Sequence, residues 1–269
     1  MHRDQKYFTG TAQPIGRHAL FIVLALYVSL WIVYPKQFIA SDPWAYSLLA
    51  HRVTQGNFFG SIANHVTTHR LAVFLPVSLF YKIFGTSEEL AFEISSVIGT
   101  MSIFLVFLIV FILFRYYEDR REHIALFSAL LFALTPAHIN WSGSVATEVP
   151  FAFFSLLTVL AYLLYFKNGK LQSHLLGASL LAFTAQIRPE GVLFISTIAF
   201  SFLLFERKLS KKLTDYRFWI PWALLFILIT PHLIHLYSHM GGSWGAPSGK
   251  KFGLEYLPHN LSVNTVFWF

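Results

Sequence analysis

The residues of this sequence that could do chemistry are a few charged side chains placed next to long apolar runs. Asp42 follows the first such run, Glu148 precedes a later one, and Arg188 stands between two more. Charged side chains in or beside a lipid bilayer are energetically unfavourable, and where they occur they usually have a function. A carboxylate there could act as an acid or base, and an arginine could bind a phosphate. These three residues are the centre of a candidate site.

Asp42 has two interpretations, and both can hold. An aspartate directly before Pro43 is well suited to cap an amphipathic helix, with its carboxylate accepting from the amides of Trp44 or Ala45. The same carboxylate, partly desolvated at the membrane interface, could act as a general base on an acceptor hydroxyl. Tyr46, in the same stretch, is a candidate substrate-binding residue.

The other candidate substrate-binding residues are His69, Arg70, Glu148, Arg188 and Glu190. Three of them also have structural alternatives. Glu148 begins an apolar run, where the helix dipole favours an acid, or it binds substrate or a cation. Arg188 either pairs with Glu190 or binds a phosphate. Arg70, which follows His69, either anchors the chain at the membrane surface or contacts phosphate or sugar. The sequence alone leaves these alternatives open.

The composition limits the class of protein. Hydrophobic residues make up 55% of the chain and charged residues only 12%, too few charges to cover a soluble protein of 269 residues. An all-α, polytopic membrane protein is therefore predicted. The net charge of +7 comes from short basic clusters between apolar runs, a pattern that sets membrane topology and does not indicate nucleic-acid binding. The absence of Cys excludes disulfides and thiol chemistry.

The first part of the chain predicts one membrane helix and a long external segment. A basic N-terminal flank places the start in the cytoplasm, so the run 19–34 crosses outward. Residues 35–89 then form the first external loop, with an amphipathic helix over 43–55 whose apolar stripe is Ala45, Leu48, Leu49 and Val53. A second helix over 71–84 is shorter than the roughly 20 residues that span a bilayer, so an interfacial or re-entrant position is expected.

The rest of the chain predicts further membrane crossings. They cover 90–114, 124–139, 151–166, 175–205 and 218–236. The stretch 175–205 is either one kinked crossing or a hairpin broken at Arg188. The hairpin is favoured because it keeps both basic loops, 167–170 and 206–217, on the cytoplasmic side. Residues 237–269 are expected to be an external loop that enters another membrane helix, so 1–269 would be one membrane domain, truncated at its C-terminal end.

Several segments, taken in order, carry a resemblance. They are the acidic-aromatic stretch from Asp42 to Tyr46, the stretch from His69 and Arg70 to residue 87, the stretch 135–151, and 187–191 around Arg188. Their order and spacing resemble the first external loop, second external loop and short helical hairpin of the GT-C glycosyltransferases. The closest group is the protein O-mannosyltransferases and aminoarabinose transferases. The resemblance covers about residues 14–205.

The resemblance implies a GT-C-like helical bundle with interfacial helices in the first external loop. It implies an inverting transfer from a polyprenyl-phosphate-linked sugar on the non-cytoplasmic face, with Asp42 as the catalytic base. The departing phosphate would be held by Arg188 or Arg70, while Glu148 would orient the sugar or help to hold a cation. Many members pair two acids in this loop. Here Pro43 follows Asp42, which leaves the acceptor and any metal open.

The partners implied are the donor lipid, an acceptor of unknown type and the bilayer, with no nucleic acid. The resemblance implies no definite cofactor and leaves a divalent cation, Mg or Mn, open. The location implied is the plasma membrane, or the endoplasmic reticulum in a eukaryote. Two other functions remain open. A transporter or flippase for a lipid-linked or polar solute would predict inverted repeats and polar residues near mid-membrane, and in a non-catalytic membrane subunit Asp42 would be only a helix cap.

Overall fold

A computed structural model describes residues 15–33, 41–57, 70–117, 120–188, 191–206 and 209–238. Within these ranges the regular structure is entirely helical, which confirms the all-α prediction. The helices in chain order are α1 (Ile15–Val33), α2 (Ser41–Thr54), α3 (Leu71–Phe84), α4 (Glu88–Leu113), α5 (Arg121–Ala133), α6 (Pro136–Ser142), α7 (Glu148–Asn168), α8 (Leu171–Ile187), α9 (Gly191–Phe205), α10 (Leu209–Leu213) and α11 (Tyr216–Ser238).

Three of the described helices are long and apolar enough to cross a bilayer. They are α4, α7 and the Tyr216–His235 part of α11, and a fourth crossing results if α5 and α6 are counted together. The α3 helix has 14 residues, as predicted, and is too short to span. The prediction of a polytopic membrane protein is confirmed. The prediction for residues 237–269 falls almost entirely outside the described ranges, which end at residue 238.

The predicted crossing 124–139 is bent in the structure. The structure divides it into α5 and α6, which meet at an angle of 61°. Pro136 is the first residue of α6, and Thr135 before it has an extended backbone (φ −64°, ψ 121°). A residue before proline is disfavoured in the α conformation, because the proline ring clashes with its backbone. The bend is therefore encoded locally.

The stretch 175–205 is a hairpin, as the loop charges predicted. A Cβ placed on Gly191 would lie 2.6 Å from the Thr184 carbonyl oxygen and 2.7 Å from the Ala185 Cα, so the start of α9 lies directly on the end of α8. Near the other end of α9, the Phe202 ring lies 5.3 Å from the His174 ring at the start of α8. The chain therefore doubles back and carries Arg188 at the turn.

The α2 helix packs against α3 through a face that differs from the predicted stripe. The residues buried most deeply are Tyr46, Leu49 and Ala50, at 1%, 3% and 0% exposure, whereas Leu48 and Val53 are only partly buried. These three share a core cluster with α3 side chains and with Ile187 of α8. The stripe prediction assumed a helix lying on lipid. Contact with two protein helices selects a different face, and α2 begins at Ser41 instead of residue 43.

The two basic loops meet at one end of the bundle. The Lys212 ammonium in α10 donates to the Tyr165 hydroxyl near the end of α7 at 2.9 Å and forms an ion pair with Glu206 at 2.7 Å. Burial alone would lower the pKa of Lys212, but its bonds to Glu206 and Tyr165 outweigh that effect and raise it. The charged form of Lys212 is therefore favoured at this end of the bundle.

Candidate active site

An ion pair between Arg188 and Glu148 joins the end of α8 to the start of α7. The Arg188 Nη1 atom lies 3.0 Å from the Glu148 Oε1 atom, and the two side chains remain 28% and 37% exposed. The pair forms because α7 and α8 run antiparallel, joined by Gly169 and Lys170, so that the last residues of one lie beside the first of the other. The Arg188 guanidinium also lies 5.9 Å from the centre of the Phe151 ring.

Arg70 is the second cation of the site. It directly precedes α3, and its Nη1 atom donates to the Tyr46 hydroxyl at 2.7 Å and to the Thr147 hydroxyl at 3.5 Å. The Thr147 hydroxyl in turn donates to the Glu148 Oε2 atom at 3.3 Å. The first of these bonds is short and the other two are at the long end of the hydrogen-bond range. One Glu148 carboxylate thus contacts Arg188 directly and Arg70 through Thr147.

Thr147 is the residue of this cluster that the sequence analysis did not single out. It is only 2% exposed, and its hydroxyl lies between the Arg70 guanidinium and the Glu148 carboxylate. A hydroxyl residue directly before an acid at the start of an apolar run was the available signal. That pattern is common at helix starts, so the sequence alone gave no reason to assign it to a site.

Tyr46 is the buried member of the cluster. Its side chain is 1% exposed, and burial raises its pKa to about 12. The charge of Arg70 acts to lower this pKa, while the charges of Asp42 and Glu148 act to raise it. All three charged groups therefore lie within electrostatic reach of one hydroxyl. The structure brings together five of the residues predicted for the site, namely Asp42, Tyr46, Arg70, Glu148 and Arg188.

Asp42 lies in the first turn of α2, one helical turn before Tyr46 on the same side of the helix. Its side chain is partly buried. Among the described residues its carboxylate accepts no hydrogen bond from Trp44 or Ala45, so the predicted N-cap bond is not formed. The helix already begins at Ser41, and a carboxylate in its first turn is stabilised by the helix dipole instead.

Two of the residues predicted for the site, His69 and Glu190, lie outside the part of the chain that the structure describes. Across the described ranges, His, Asp and Glu side chains form no group of three or more that could hold a metal ion.

The site and the basic loops lie at opposite ends of α7. Glu148 is the first residue of this 21-residue helix, and Tyr165, which accepts from Lys212, lies near its end. At 1.5 Å per residue the helix is roughly 30 Å long, about the thickness of a hydrocarbon core. The arginine–glutamate cluster and the lysine-rich end are therefore separated by about one membrane thickness.

The chain matches a known family profile. The profile described as dolichyl-phosphate-mannose-protein mannosyltransferase matches residues 69–235, more than half of the chain. The chain belongs to this family. Membership in the mannosyltransferase family identifies the chain as a glycosyltransferase of the membrane and confirms the resemblance found in the sequence. Comparisons with curated proteins and with solved structures gave no match.

The mannosyltransferase match covers only part of the candidate site. Arg70, Glu148 and Arg188 lie inside the matched range, whereas Asp42 and Tyr46 precede it. The α2 helix that carries these two residues is joined to the matched part by the Tyr46–Arg70 hydrogen bond and by its packing on α3. The α2 segment is therefore part of the same packed unit as the matched region.

Proposed function

We propose that this chain transfers a sugar from a polyprenyl-phosphate donor to an acceptor hydroxyl with inversion at the anomeric carbon. Asp42 acts as general base, and Arg188 and Arg70 hold the donor phosphate. One observation carries this proposal. Two arginines converge on the start of α7, beside the face of α2 that bears a carboxylate without a hydrogen-bond partner in the described chain.

The proposed step moves one proton and exchanges one bond. The acceptor hydroxyl gives its proton to the Asp42 carboxylate as its oxygen bonds to the anomeric carbon of the donor sugar. The bond between that carbon and the phosphate oxygen breaks through an oxocarbenium-like state, and its electron pair stays on the phosphate. Negative charge therefore develops on the leaving group, where preorganised guanidinium groups are most useful. Tyr46 supports the step indirectly, by orienting Arg70.

The distribution of basic residues supports a site on the non-cytoplasmic face of a chain that crosses the membrane several times. Loops rich in Lys and Arg remain on the cytoplasmic side. Lys212 and the loop after α7 lie at one end of α7 and the site lies at the other. With the basic end in the cytoplasm and α4, α7, α8, α9 and α11 within the bilayer, the site opens on the non-cytoplasmic face. A donor lipid could then keep its polyprenyl chain in the membrane while its phosphate reaches Arg188.

The test is a transfer assay with the full-length chain in lipid nanodiscs. Radiolabelled polyprenyl-phosphate sugars, beginning with polyprenyl-phosphate mannose, are incubated with membrane extracts as a source of acceptors. We expect Asp42→Asn to lower transfer by about 10²- to 10⁴-fold, the usual contribution of a general base, with donor binding retained. The matched control is Asp215→Asn, which makes the same chemical change beyond the opposite end of α7 from the site. There the Asp215 carboxylate accepts a hydrogen bond from the Arg217 amide at 3.0 Å.

Two outcomes would overturn this proposal. Transfer that is unchanged in Asp42→Asn would remove Asp42 as the base. A wild-type chain that neither binds nor uses any polyprenyl-phosphate sugar would remove the donor class and favour the transporter or the non-catalytic subunit. Asp215→Asn should behave like wild type in both measurements.

A further inference from the structure

We infer that Glu148 is a built-in competitor for the phosphate of the lipid product, and that it sets the rate at which that product leaves. The inference rests on the proposed function, in which Arg188 and Arg70 bind the donor phosphate. It assigns Glu148 a role beyond orienting a sugar or holding a cation. The Glu148 carboxylate contacts the arginines before the donor binds. After transfer it contacts them again and displaces the product phosphate.

The charge of the lipid changes during the reaction, and this change makes such a competitor useful. The donor is a phosphodiester with one negative charge. The product is a phosphomonoester, which carries about −1.5 to −2 at neutral pH because its second pKa is near 6. Arginines bind the more highly charged phosphate more tightly. A site built only to hold the donor would therefore retain its product and turn over slowly.

The geometry gives Glu148 access to both arginines. Its Oε1 atom lies 3.0 Å from the Arg188 Nη1 atom, and its Oε2 atom accepts at 3.3 Å from the Thr147 hydroxyl, which also contacts Arg70. Both carboxylate oxygens thus already make contacts within the protein. Any phosphate that binds between the two arginines must replace or share these contacts.

The surroundings make this exchange reversible. Glu148 and Arg188 are 37% and 28% exposed, so an incoming phosphate can reach them, and such exposed pairs are weak enough to open. Thr147, by contrast, is 2% exposed and lies directly before the first turn of α7. The residues on both sides of Glu148, Thr147 and Val149, are therefore buried, whereas the Glu148 carboxylate is accessible to an incoming phosphate. After transfer the carboxylate is close enough to displace the monoester from Arg188.

Glu148→Gln tests this role because it keeps the size of the side chain and removes its charge. The full-length chain in nanodiscs is titrated with a long-chain polyprenyl monophosphate and, separately, with polyprenyl-phosphate mannose. We expect Glu148→Gln to bind the monoester about threefold to tenfold more tightly and the diester to gain less. Steady-state kcat should fall relative to the single-turnover rate of the same variant, because product release becomes slower.

A purely structural role for Glu148 predicts that Glu148→Gln lowers the affinity for the lipids instead of raising it. If Glu148 only held Arg188 in position, Glu148→Gln would weaken binding of both lipids and raise the KM of the donor. The matched control is Glu206→Gln, which breaks the 2.7 Å pair with Lys212 at the other end of α7 and should leave both affinities unchanged. An equal gain in the two Glu→Gln variants would indicate a general charge effect and overturn the inference.

A double variant shows whether the effect passes through Arg188. In the background of Arg188→Gln, Glu148→Gln should cause almost no gain in affinity for the monoester. The guanidinium for which Glu148 and the lipid phosphate compete is then absent. A gain that persists would contradict the inference. Failure of the proposed function looks different, since the wild type would then bind neither lipid. A wild type that transfers sugar while Glu148→Gln binds the monoester more weakly would refute the inference alone.

Discussion

Arg70 and Tyr46 form a hydrogen bond of 2.7 Å that joins the residue before α3 to the first half of α2. The Tyr46 ring is 1% exposed, so little water competes for its hydroxyl. A long arginine side chain has many conformations in water, and a short bond to a buried partner removes most of them. Arg70 is thereby directed toward Thr147 and Glu148.

Replacement of Tyr46 by Phe removes this hydroxyl and keeps the ring. We expect the KM of the donor to rise about threefold to tenfold with a smaller change in kcat, because Arg70 loses a charge-assisted bond and its fixed direction. The control is Tyr81→Phe, since the Tyr81 hydroxyl bonds to Ser47 at 2.7 Å across the same two helices without contacting an arginine. Equal changes in both variants would show that packing between α2 and α3 matters, and not the direction of Arg70.

The raised pKa of Tyr46 predicts a stability change at high pH. Burial raises this pKa from 10 to about 12. Between these values the unfolded chain loses the tyrosine proton while the folded chain keeps it, so the stabilising contribution is present below pH 10 and is lost as the pH rises toward 12. The melting temperature of the wild type in detergent should therefore fall more steeply than that of Tyr46→Phe from pH 9.5 upward. Parallel curves for the two proteins would contradict this prediction.

Arg188→Lys keeps the positive charge and removes the planar guanidinium. A lysine can neither bind a phosphate in a bidentate manner nor stack on Phe151 as the arginine does. We expect donor affinity to fall by about tenfold, a cost typical of losing one charge-assisted hydrogen bond. Arg217→Lys, exposed at the start of α11, serves as control and should bind the donor like wild type. An Arg188→Lys chain with unchanged affinity would show that charge alone suffices there.

Gly191→Ala tests the hairpin that carries Arg188. The new Cβ would lie 2.6 Å from a carbonyl oxygen and 2.7 Å from a Cα of α8, and backbone atoms cannot yield as a flexible side chain can. We expect a loss of stability of about 1–3 kcal/mol, as for other overpacked sites. A Cβ on Gly143 would meet nothing within 4 Å, so Gly143→Ala should melt like wild type in the same detergent. Similar melting of both variants would argue against close α8–α9 packing.

The absence of native cysteine permits a direct test of membrane topology. Single cysteines are placed at Asn57, an exposed residue after α2, and at Lys211, an exposed residue of α10. In intact cells a membrane-impermeant maleimide should label the cysteine at position 57 at once and the one at position 211 only after permeabilisation. The reverse pattern would place the candidate site on the cytoplasmic face and overturn that part of the proposed function.

Much of the fold could be predicted because its causes are local. A long apolar run specifies a membrane helix, a basic loop specifies its side, and both signals are read over neighbouring residues. Such local signals predict both the α3 helix at Leu71–Phe84 and the hairpin at Arg188, and the structure contains both. The bend before Pro136 was equally local, but the apolar run that continues through it concealed it.

The contacts of the site were decided by tertiary structure. The sequence placed Asp42, Glu148 and Arg188 on one side of the membrane as separate candidates, and it offered Glu190 as the partner of Arg188. Only the antiparallel packing of α7 and α8 brings Glu148 within 3.0 Å of Arg188, across 40 residues of chain. Likewise, only the packing of α2 on α3 and α8 selects Tyr46 as a buried residue and turns it toward Arg70. Composition and periodicity report how a segment meets lipid or water, whereas the pairing of distant side chains depends on which helices become neighbours.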